Sequence, residues 1–136
     1  MKIAIRYYTQ TGNAKKLADA IAEELSLEAQ DVTVALSEKT DIVFLCNSVH
    51  FAGADSSVKM FIKANKDKIG TLVNVSSAAI IASTYAQVKK VAEKEGVSIS
   101  DKEFHCRGSF KMIHAGHPNE ADLKAAREFA REIVSG

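Results

Sequence analysis

Short apolar runs alternate with longer helical patterns along the chain, and this alternation limits the possible folds more than any other feature. The clearest run, Ile42–Cys46, is apolar on both of its faces, which is typical of a strand buried between two layers. Between the runs, apolar residues recur three and four positions apart, as on one face of a helix. This alternation predicts an α/β fold with a parallel sheet and helices on both faces.

The pattern predicts five strands and four helices in the order βαββαβαβα. A poorly patterned helix before the third strand is the alternative, but the short connection Ser37–Thr40 leaves no room for one of two or three turns. Thr84 and Gln87 have the spacing of a capping box. The strands are predicted at Lys2–Tyr8, Asp31–Leu36, Asp41–Val49, Thr71–Ile81 (ending near Ser76) and Phe104–Phe110. The helices are predicted at about 13–26, from Val58 to Lys68 with Gly70 as the stop, at Thr84–Glu95 with Gly96 as the stop, and from Pro118-Asn119 onwards.

Length and composition fit one domain spanning residues 1–136. Eighteen basic and seventeen acidic residues give a net charge of +1, divided evenly between the two halves, so composition implies no basic face for nucleic acid. The longest apolar stretches are about five residues, far short of the ~20 that cross a bilayer, and no signal-peptide pattern is present, so no membrane partner is expected. Two widely separated cysteines predict a reducing, cytoplasmic location rather than a disulfide framework.

Parallel sheets bind ligands beyond the carboxyl ends of their strands, where the strand order reverses. In this chain those ends fall at residues 8–13, 47–53, 76–83 and 110–117. Any functional site is therefore expected to be assembled from these four segments.

The first of these segments has the composition of a phosphate-binding turn. Amide N–H groups at a helix start are unpaired and carry the positive end of the helix dipole. Thr9, Thr11 and Asn13 add short polar side chains, and Gly12 allows the backbone to turn close to a ligand. The segment matches neither GxxxxGK[ST] nor GxGxxG, so no nucleoside triphosphate or dinucleotide motif is present. A tight turn with Asn13 as the helix N-cap, without any ligand, is the alternative.

The strand Ile3–Tyr8, the loop Thr9-Gln10-Thr11-Gly12-Asn13-Ala14 and the amphipathic helix after it resemble the flavodoxin family. Flavodoxins have a (Ser/Thr)-x-Thr-Gly-Asn-(Thr/Ala) loop there, which wraps the phosphate of FMN. Residues 104–110 and 117–123 also look like flavodoxin-like proteins. The resemblance spans nearly the whole chain. It implies a short-chain flavodoxin: a three-layer α/β/α sandwich around a five-stranded parallel sheet of order 2-1-3-4-5, with FMN bound through Thr9, Gln10, Thr11, Gly12, Asn13 and Ala14. A phosphoacceptor receiver domain is excluded because Thr9-Gln10 and Asn47-Ser48 stand where that domain needs acidic residues.

The resemblance also implies that the flavin ring lies against the loops after the third and fourth strands. Phe51 is then a candidate to stack on the ring, His50 to pack beside it, and the Ala52–Gly53 peptide to offer its carbonyl to flavin N5–H. The alternative is that His50 and Phe51 only pack their loop onto the next helix. The fourth-strand loop has no Tyr or Trp to cover the ring, and Tyr85 could do so only if the segment folds back. The implied ring-binding residues are Ser48, Val49, His50, Phe51, Ala52, Gly53, Ser76, Ser77 and Ala78.

By the same resemblance, the protein carries single electrons between redox partner proteins, a reductase and an acceptor, without a catalytic side chain. Flavodoxins are usually strongly acidic, and the charge of +1 departs from that pattern. Two other hypotheses are therefore kept: a small FMN-dependent NAD(P)H or quinone reductase, and a flavodoxin-fold module that has lost FMN.

The remaining reactive residue types are assigned no chemistry. The spacings of His105, His114 and His117 are not those of a zinc site. Both cysteines, Cys46 and Cys106, are predicted to be inert core residues. The charged residues Lys89, Lys90, Glu93 and Glu95 are predicted to form a solvated helix face.

Overall fold

A computed structural model describes residues 1–10, 12–48, 56–78, 83–107 and 116–136. The elements follow one another in the predicted order βαββαβαβα. The strands are β1 (Ile3–Tyr7), β2 (Ala29–Asp31), β3 (Thr40–Ser48), β4 (Ile69–Ala78) and β5 (Phe104–Arg107). The helices are α1 (Asn13–Leu25), α2 (Ser56–Asn65), α3 (Tyr85–Lys94) and α4 (Glu120–Ser135).

The strands form one parallel sheet of order β2-β1-β3-β4-β5, which confirms the order that the resemblance implied. The strand order reverses between β1 and β3, whose register pairs Tyr7 with Cys46. In the neighbouring pair, Ser48 at the end of β3 is in register with Ser77 near the end of β4. The carboxyl ends of β1, β3 and β4 therefore share one edge of the sheet, called the carboxyl edge below.

Helices cover both faces of the sheet and make it the middle of three layers. On one face, α1 and α4 bury Leu17, Ile21 and Ala126 against sheet residues such as Phe44 and Val73. On the other face, the apolar side chains of α2 and α3 pack against the sheet and form a second core cluster. The helices contribute Val58, Phe61, Ile62, Val88 and Ala92, and the sheet contributes Val43, Leu45 and Leu72. The predicted α/β/α sandwich is thus confirmed.

The second strand was predicted at Asp31–Leu36, and this prediction is wrong. The strand ends at Asp31, whose side chain accepts a hydrogen bond from Thr33 N (2.9 Å) and whose carbonyl accepts one from Val34 N (2.9 Å), so the chain turns there. Val32 and Leu36 are buried while Val34 is 40% exposed. The alternation in the sequence therefore comes from two apolar anchors of a turn, and not from a strand.

No helix lies between β2 and β3 in the fully described stretch 12–48, as the short connection predicts. Side chains from neighbouring elements hold this connection instead. Arg6 of β1 is buried and donates through Nε to the carbonyl of Val34 at 2.8 Å. Leu36 donates its N–H to Asn65 Oδ1 (2.9 Å), and its carbonyl accepts from Lys68 Nζ (2.9 Å). These bonds satisfy backbone groups that a helix would have paired internally.

Gly70 was predicted to stop the second helix, and this is also wrong, since it is the second residue of β4. α2 ends earlier, at Asn65. A Cβ atom on Gly70 would lie 2.7 Å from the carbonyl oxygen of Asp41, so glycine allows the backbones of β3 and β4 to approach each other at this point. β4 also continues to Ala78, beyond the predicted end near Ser76.

The later helix ends agree with the sequence. Gly96 has φ +73° and follows α3, and Val97 N donates back to the carbonyl of Ala92 (2.8 Å), as in a Schellman motif. Asn119 caps α4 and forms a capping box with Asp122. The predicted fifth strand is seen as far as Arg107, and its last three residues lie outside the described part. None of the described helices has the length and apolar composition that a membrane span requires.

Candidate functional site

The turn between β1 and α1 presents the start of a helix at the carboxyl edge. Thr9 Oγ1 accepts a hydrogen bond from Gly12 N (2.8 Å), which closes the turn. Gly12 is the N-cap residue with φ +90°, and its carbonyl accepts the first helical hydrogen bond, from Lys16 N (3.1 Å). The alternative in which Asn13 caps the helix is therefore wrong, because Asn13 is already the first helical residue. No described side chain caps α1.

The electrostatics of this turn favour an anion. The first turn of α1 contains no acidic residue, so the positive end of the helix dipole is not neutralised there. Lys16 is exposed beside it, whereas Lys15 points along the helix to Asp19 (2.9 Å) and lies over the ring of Tyr7. The hydrogen bond that Lys15 donates to Asp19, and then the negative charge of Asp19, raise the pKa of Lys15. The anion-binding capacity of the turn therefore rests mainly on backbone amides.

The predicted residues of the fourth-strand loop lie within β4 itself. Ser76 Oγ is within hydrogen-bond distance of Thr84 N (3.3 Å), so its side chain faces α3. Because successive side chains of a strand alternate, Ser77 faces the layer of α1 and α4. Ser77 Oγ is buried and has no hydrogen-bond partner in the described part of the chain. By the same alternation, Ser48 lies beside it on that face, and Ala78 is buried on the opposite one.

The structure thus gathers Thr9, Gln10, Gly12, Asn13, Ala14, Ser48, Ser76, Ser77 and Ala78 at or next to the carboxyl edge. Thr11, Val49, His50, Phe51, Ala52 and Gly53 lie outside the described residues. Their predicted roles stay predictions.

Tyr85 does not fold back over this edge. Its hydroxyl donates to the carbonyl of Ser100 (3.0 Å), and Ser100 in turn donates its N–H to the carbonyl of Leu72 in the first half of β4. Lys89 Nζ lies over the same ring, 6.0 Å from its centroid. These contacts direct the ring along α3, away from the carboxyl edge.

A buried ring of three side chains below the carboxyl edge was not anticipated from the sequence. Asn47 Nδ2 donates to Asn74 Oδ1 (2.8 Å), Asn74 Nδ2 to Thr84 Oγ1 (3.1 Å), and Thr84 Oγ1 to Asn47 Oδ1 (2.5 Å). All three residues are 0% exposed. The predicted capping box of Thr84 and Gln87 is absent because the Thr84 hydroxyl belongs to this ring. The signal in the sequence was an asparagine directly after the apolar run Ile42–Cys46 and a second one between Val73 and Val75.

The polar contacts continue from this ring to the edge strand β5. Ser83, next to Thr84, donates to Glu103 Oε1 (2.6 Å), and Glu103 Oε2 lies 2.7 Å from His105 Nδ1. These hydrogen bonds link the start of α3 to β5, so they hold the β4 and β5 ends of the carboxyl edge in one arrangement.

The described histidines and cysteines show no sign of metal or nucleophile chemistry. Within the described residues no group of three or more metal-ligating side chains occurs. His117 Nδ1 lies 2.7 Å from Asp122 at the start of α4, and His114 lies outside the described part. Burial raises the pKa of the Cys46 thiol and raises that of Cys106 to about 12, so both stay protonated at neutral pH.

Comparison with known proteins gives one consistent result. A family model described as a flavodoxin domain matches residues 4–108. An uncharacterized protein of Methanocaldococcus jannaschii is 26% identical over 135 residues, which cover 90% of each chain.

Solved structures show the same fold. A flavodoxin from the domain Archaea aligns with a TM-score of 0.76 at 13% identity, over 99% of this chain and 97% of that one. A short-chain flavodoxin associated with a bacterial microcompartment aligns with a TM-score of 0.71 at 18% identity, over 99% and 98% of the two chains. Rubredoxin oxygen:oxidoreductase from Desulfovibrio gigas aligns over 98% of this chain but only 35% of its own length, with a TM-score of 0.65 and 15% identity.

Proposed function

This chain belongs to the flavodoxin family, and from that premise we propose that it binds FMN at the carboxyl edge and carries electrons between cytoplasmic redox partner proteins. The observation that supports this most is the β1–α1 turn. Gly12 at φ +90° begins a helix that no described side chain caps and whose first turn holds no carboxylate. Such a helix start suits a phosphate monoester better than any other part of the described edge.

The residues of the turn fit the phosphate. An added Cβ on Gly12 would meet no atom within 4 Å, so this position is open to an approaching group. The backbone N–H groups of Ala14 and Lys15, together with the Thr9 hydroxyl hydrogen and the exposed ammonium group of Lys16, are donors that the turn offers to it. Asn13 and Ala14 are buried beneath them and fix the helix start against the sheet.

The ends of β3 and β4 fit a polar group as well. The Ser77 hydroxyl is buried and has no partner among the described residues, which costs free energy unless something else supplies a hydrogen bond. Ser48 adds a second hydroxyl on the same face of the sheet. We assign both to the polar edge of the cofactor, while Ser76 contributes through its backbone because its side chain is engaged with α3.

FMN supplies the electron-transfer chemistry when it is bound, and the polypeptide binds and orients it. No described side chain is needed as an acid or base. The Asn47–Asn74–Thr84 ring keeps the ends of β3 and β4 rigid, so that the site is formed before the ligand arrives. Both cysteines are free thiols, in keeping with a reducing compartment.

The contacts of Tyr85 favour a second candidate function. Because its ring is held against Ser100, it does not cover the carboxyl edge. A flavin bound there is not covered by Tyr85, and access for a hydride donor on that side is what an FMN-dependent NAD(P)H or quinone reductase requires.

Titration of the purified protein with FMN, followed by quenching of flavin fluorescence, tests the proposal. We expect submicromolar affinity, and affinity at least about tenfold lower for riboflavin, which lacks the phosphate. A colourless protein that takes up no FMN would contradict the proposal. Anaerobic addition of NADPH then separates the two functions: bleaching by NADPH alone identifies a reductase, whereas an electron carrier requires a flavodoxin reductase as well.

A further inference from the structure

The two faces of the sheet carry different charge, which the even distribution along the sequence conceals. α2 and α3, which cover one face, contain five lysines and one acidic residue, Glu93. α1 and α4, on the opposite face, contain five basic and seven acidic residues. A chain with a net charge of +1 thus has one basic helical face, a local excess of charge that its overall composition does not imply.

The lysines of this face are concentrated along one groove. The groove lies between α2 and α3 and has a volume of about 530 Å³. Lys59 and Lys63 line it from α2, and Lys90 and Lys94 line it from α3. Since the members of each pair are four positions apart, their backbone positions lie about 6 Å apart along the helix axis and on the same side of the helix.

Described carboxylates do not neutralise these four lysines. All four are exposed, and none takes part in the ion pairs found among the described residues. The one carboxylate lining the groove, Glu95, lies 3.9 Å from a fifth lysine, Lys66. Lysines four positions apart repel each other on a helix, so this spacing lowers helix stability unless an anion binds between them.

The groove also has an apolar part. Met60 is 69% exposed, and the half-buried Val91 lines the groove with it. Methionine adapts its shape readily to a partner surface. Gln87 Oε1 is buried in the same groove without a hydrogen-bond partner in the described part of the chain, so it is available to a donor. The groove therefore suits an occupant that combines carboxylates, an apolar side chain and a hydrogen-bond donor.

We propose that the α2–α3 groove docks an acidic amphipathic segment of a partner protein. Its carboxylates pair with the two rows of lysines, and its apolar residues pack on Met60 and Val91. Nucleic acid fits less well, because the residues that line the groove include no arginine and no aromatic side chain to stack on bases. The proposal is independent of FMN, since the groove runs along the helices and not at the carboxyl edge.

The test measures binding of the full-length protein to a fluorescein-labelled helical peptide of about 15 residues, in which glutamates flank a leucine stripe. The same peptide with glutamine in place of glutamate is the uncharged control ligand. The double variant Lys63→Glu/Lys90→Glu is compared with Lys39→Glu/Lys124→Glu, which changes net charge equally at exposed lysines elsewhere. A third variant, Met60→Ser, examines the apolar part.

We expect the groove variant to weaken binding of the acidic peptide by about tenfold or more, and the control variant by less than about twofold. Met60→Ser should weaken it several-fold, and the glutamine peptide should bind poorly. In NMR spectra, addition of the peptide should change the chemical shifts of backbone amides mainly in α2 and α3. Equal weakening by both double variants, absence of binding, or tighter binding of a single-stranded oligonucleotide at the same lysines would each overturn the proposal.

Discussion

Asn47 donates its side-chain amide to the side-chain carbonyl of Asn74 at 2.8 Å, and this bond joins β3 to β4 directly below the carboxyl edge. Both residues are fully buried, and Thr84 closes the ring from the start of α3. A buried polar ring is stabilising only when every member is satisfied, so each of the three side chains depends on the other two.

Replacement of Thr84 by valine should destabilise the protein by about 2–4 kcal/mol, because the change keeps the shape of the side chain but leaves Asn47 Oδ1 and Asn74 Nδ2 each without a buried partner. Urea unfolding measures the loss. Thr33→Val, at an exposed threonine, is the matched control and should change stability by less than about 0.5 kcal/mol. Equal stability of the two variants would show that the ring contributes nothing.

Arg6→Met should loosen the connection between β2 and β3. The guanidinium donates to the carbonyls of Val34 (2.8 Å) and Ala35 (3.3 Å). These carbonyls belong to a non-helical connection, so they have no helical N–H group as a partner. We expect a loss of about 1–3 kcal/mol, with faster hydrogen exchange at residues 32–36. Arg131→Met removes an exposed arginine that pairs with Glu24, and should cost under about 1 kcal/mol. If the two variants lose stability equally, Arg6 does not hold the connection.

The buried thiol of Cys46 should make stability fall in alkaline solution. Burial raises its folded-state pKa above the ordinary value of 9.0. The unfolded chain therefore loses the thiol proton as pH rises above about 9 while the folded chain keeps it, which favours unfolding. We expect the free energy of unfolding to fall by about 1 kcal/mol per pH unit from this group between about pH 9 and 11.

The contribution is measured by comparison with Cys46→Ala, whose stability is lower at neutral pH but should decline less steeply above about pH 9. Identical slopes for the two proteins would refute the assignment.

Gly12→Asp should weaken FMN binding by more than about tenfold, because it places a carboxylate at the helix start that we assign to the phosphate. Gly96→Asp is matched for backbone strain: Gly12 has φ +90° and Gly96 φ +73°, and an added Cβ meets no atom within 4 Å at either position. Both variants should lose similar stability, while only the first should lose affinity in the fluorescence titration. Equal FMN affinity in the two variants would contradict the phosphate assignment.

Much of the fold was predictable because it depends on periodic patterns. The runs that became β1, β3 and β4 and the stripes of α1, α3 and α4 were placed within a few residues. The errors at Asp31–Leu36 and Gly70 have local causes. Apolar residues two apart can anchor a turn as well as a strand, and a glycine beside an apolar run can permit close strand approach as well as end a helix.

The candidate site was predictable where it depends on one segment. The loop from Thr9 to Ala14 is contiguous, so its composition alone indicated a phosphate-binding turn. The Asn47–Asn74–Thr84 ring joins residues 27 and 37 positions apart, and no local pattern shows that such side chains will meet.

By itself, the sequence determined the α/β class, the order of the elements and the glycine-containing turn at the first strand, because these follow from periodicity and composition over a few neighbouring residues. The tertiary structure alone decided which distant groups meet. It paired Ser48 with Ser77, buried the Ser77 hydroxyl away from every polar partner in the described ranges, and gathered lysines from two separate helices along one groove. Charge that is evenly spread along the chain becomes uneven in space, because parallel strands carry α2 and α3 to the same face of the sheet.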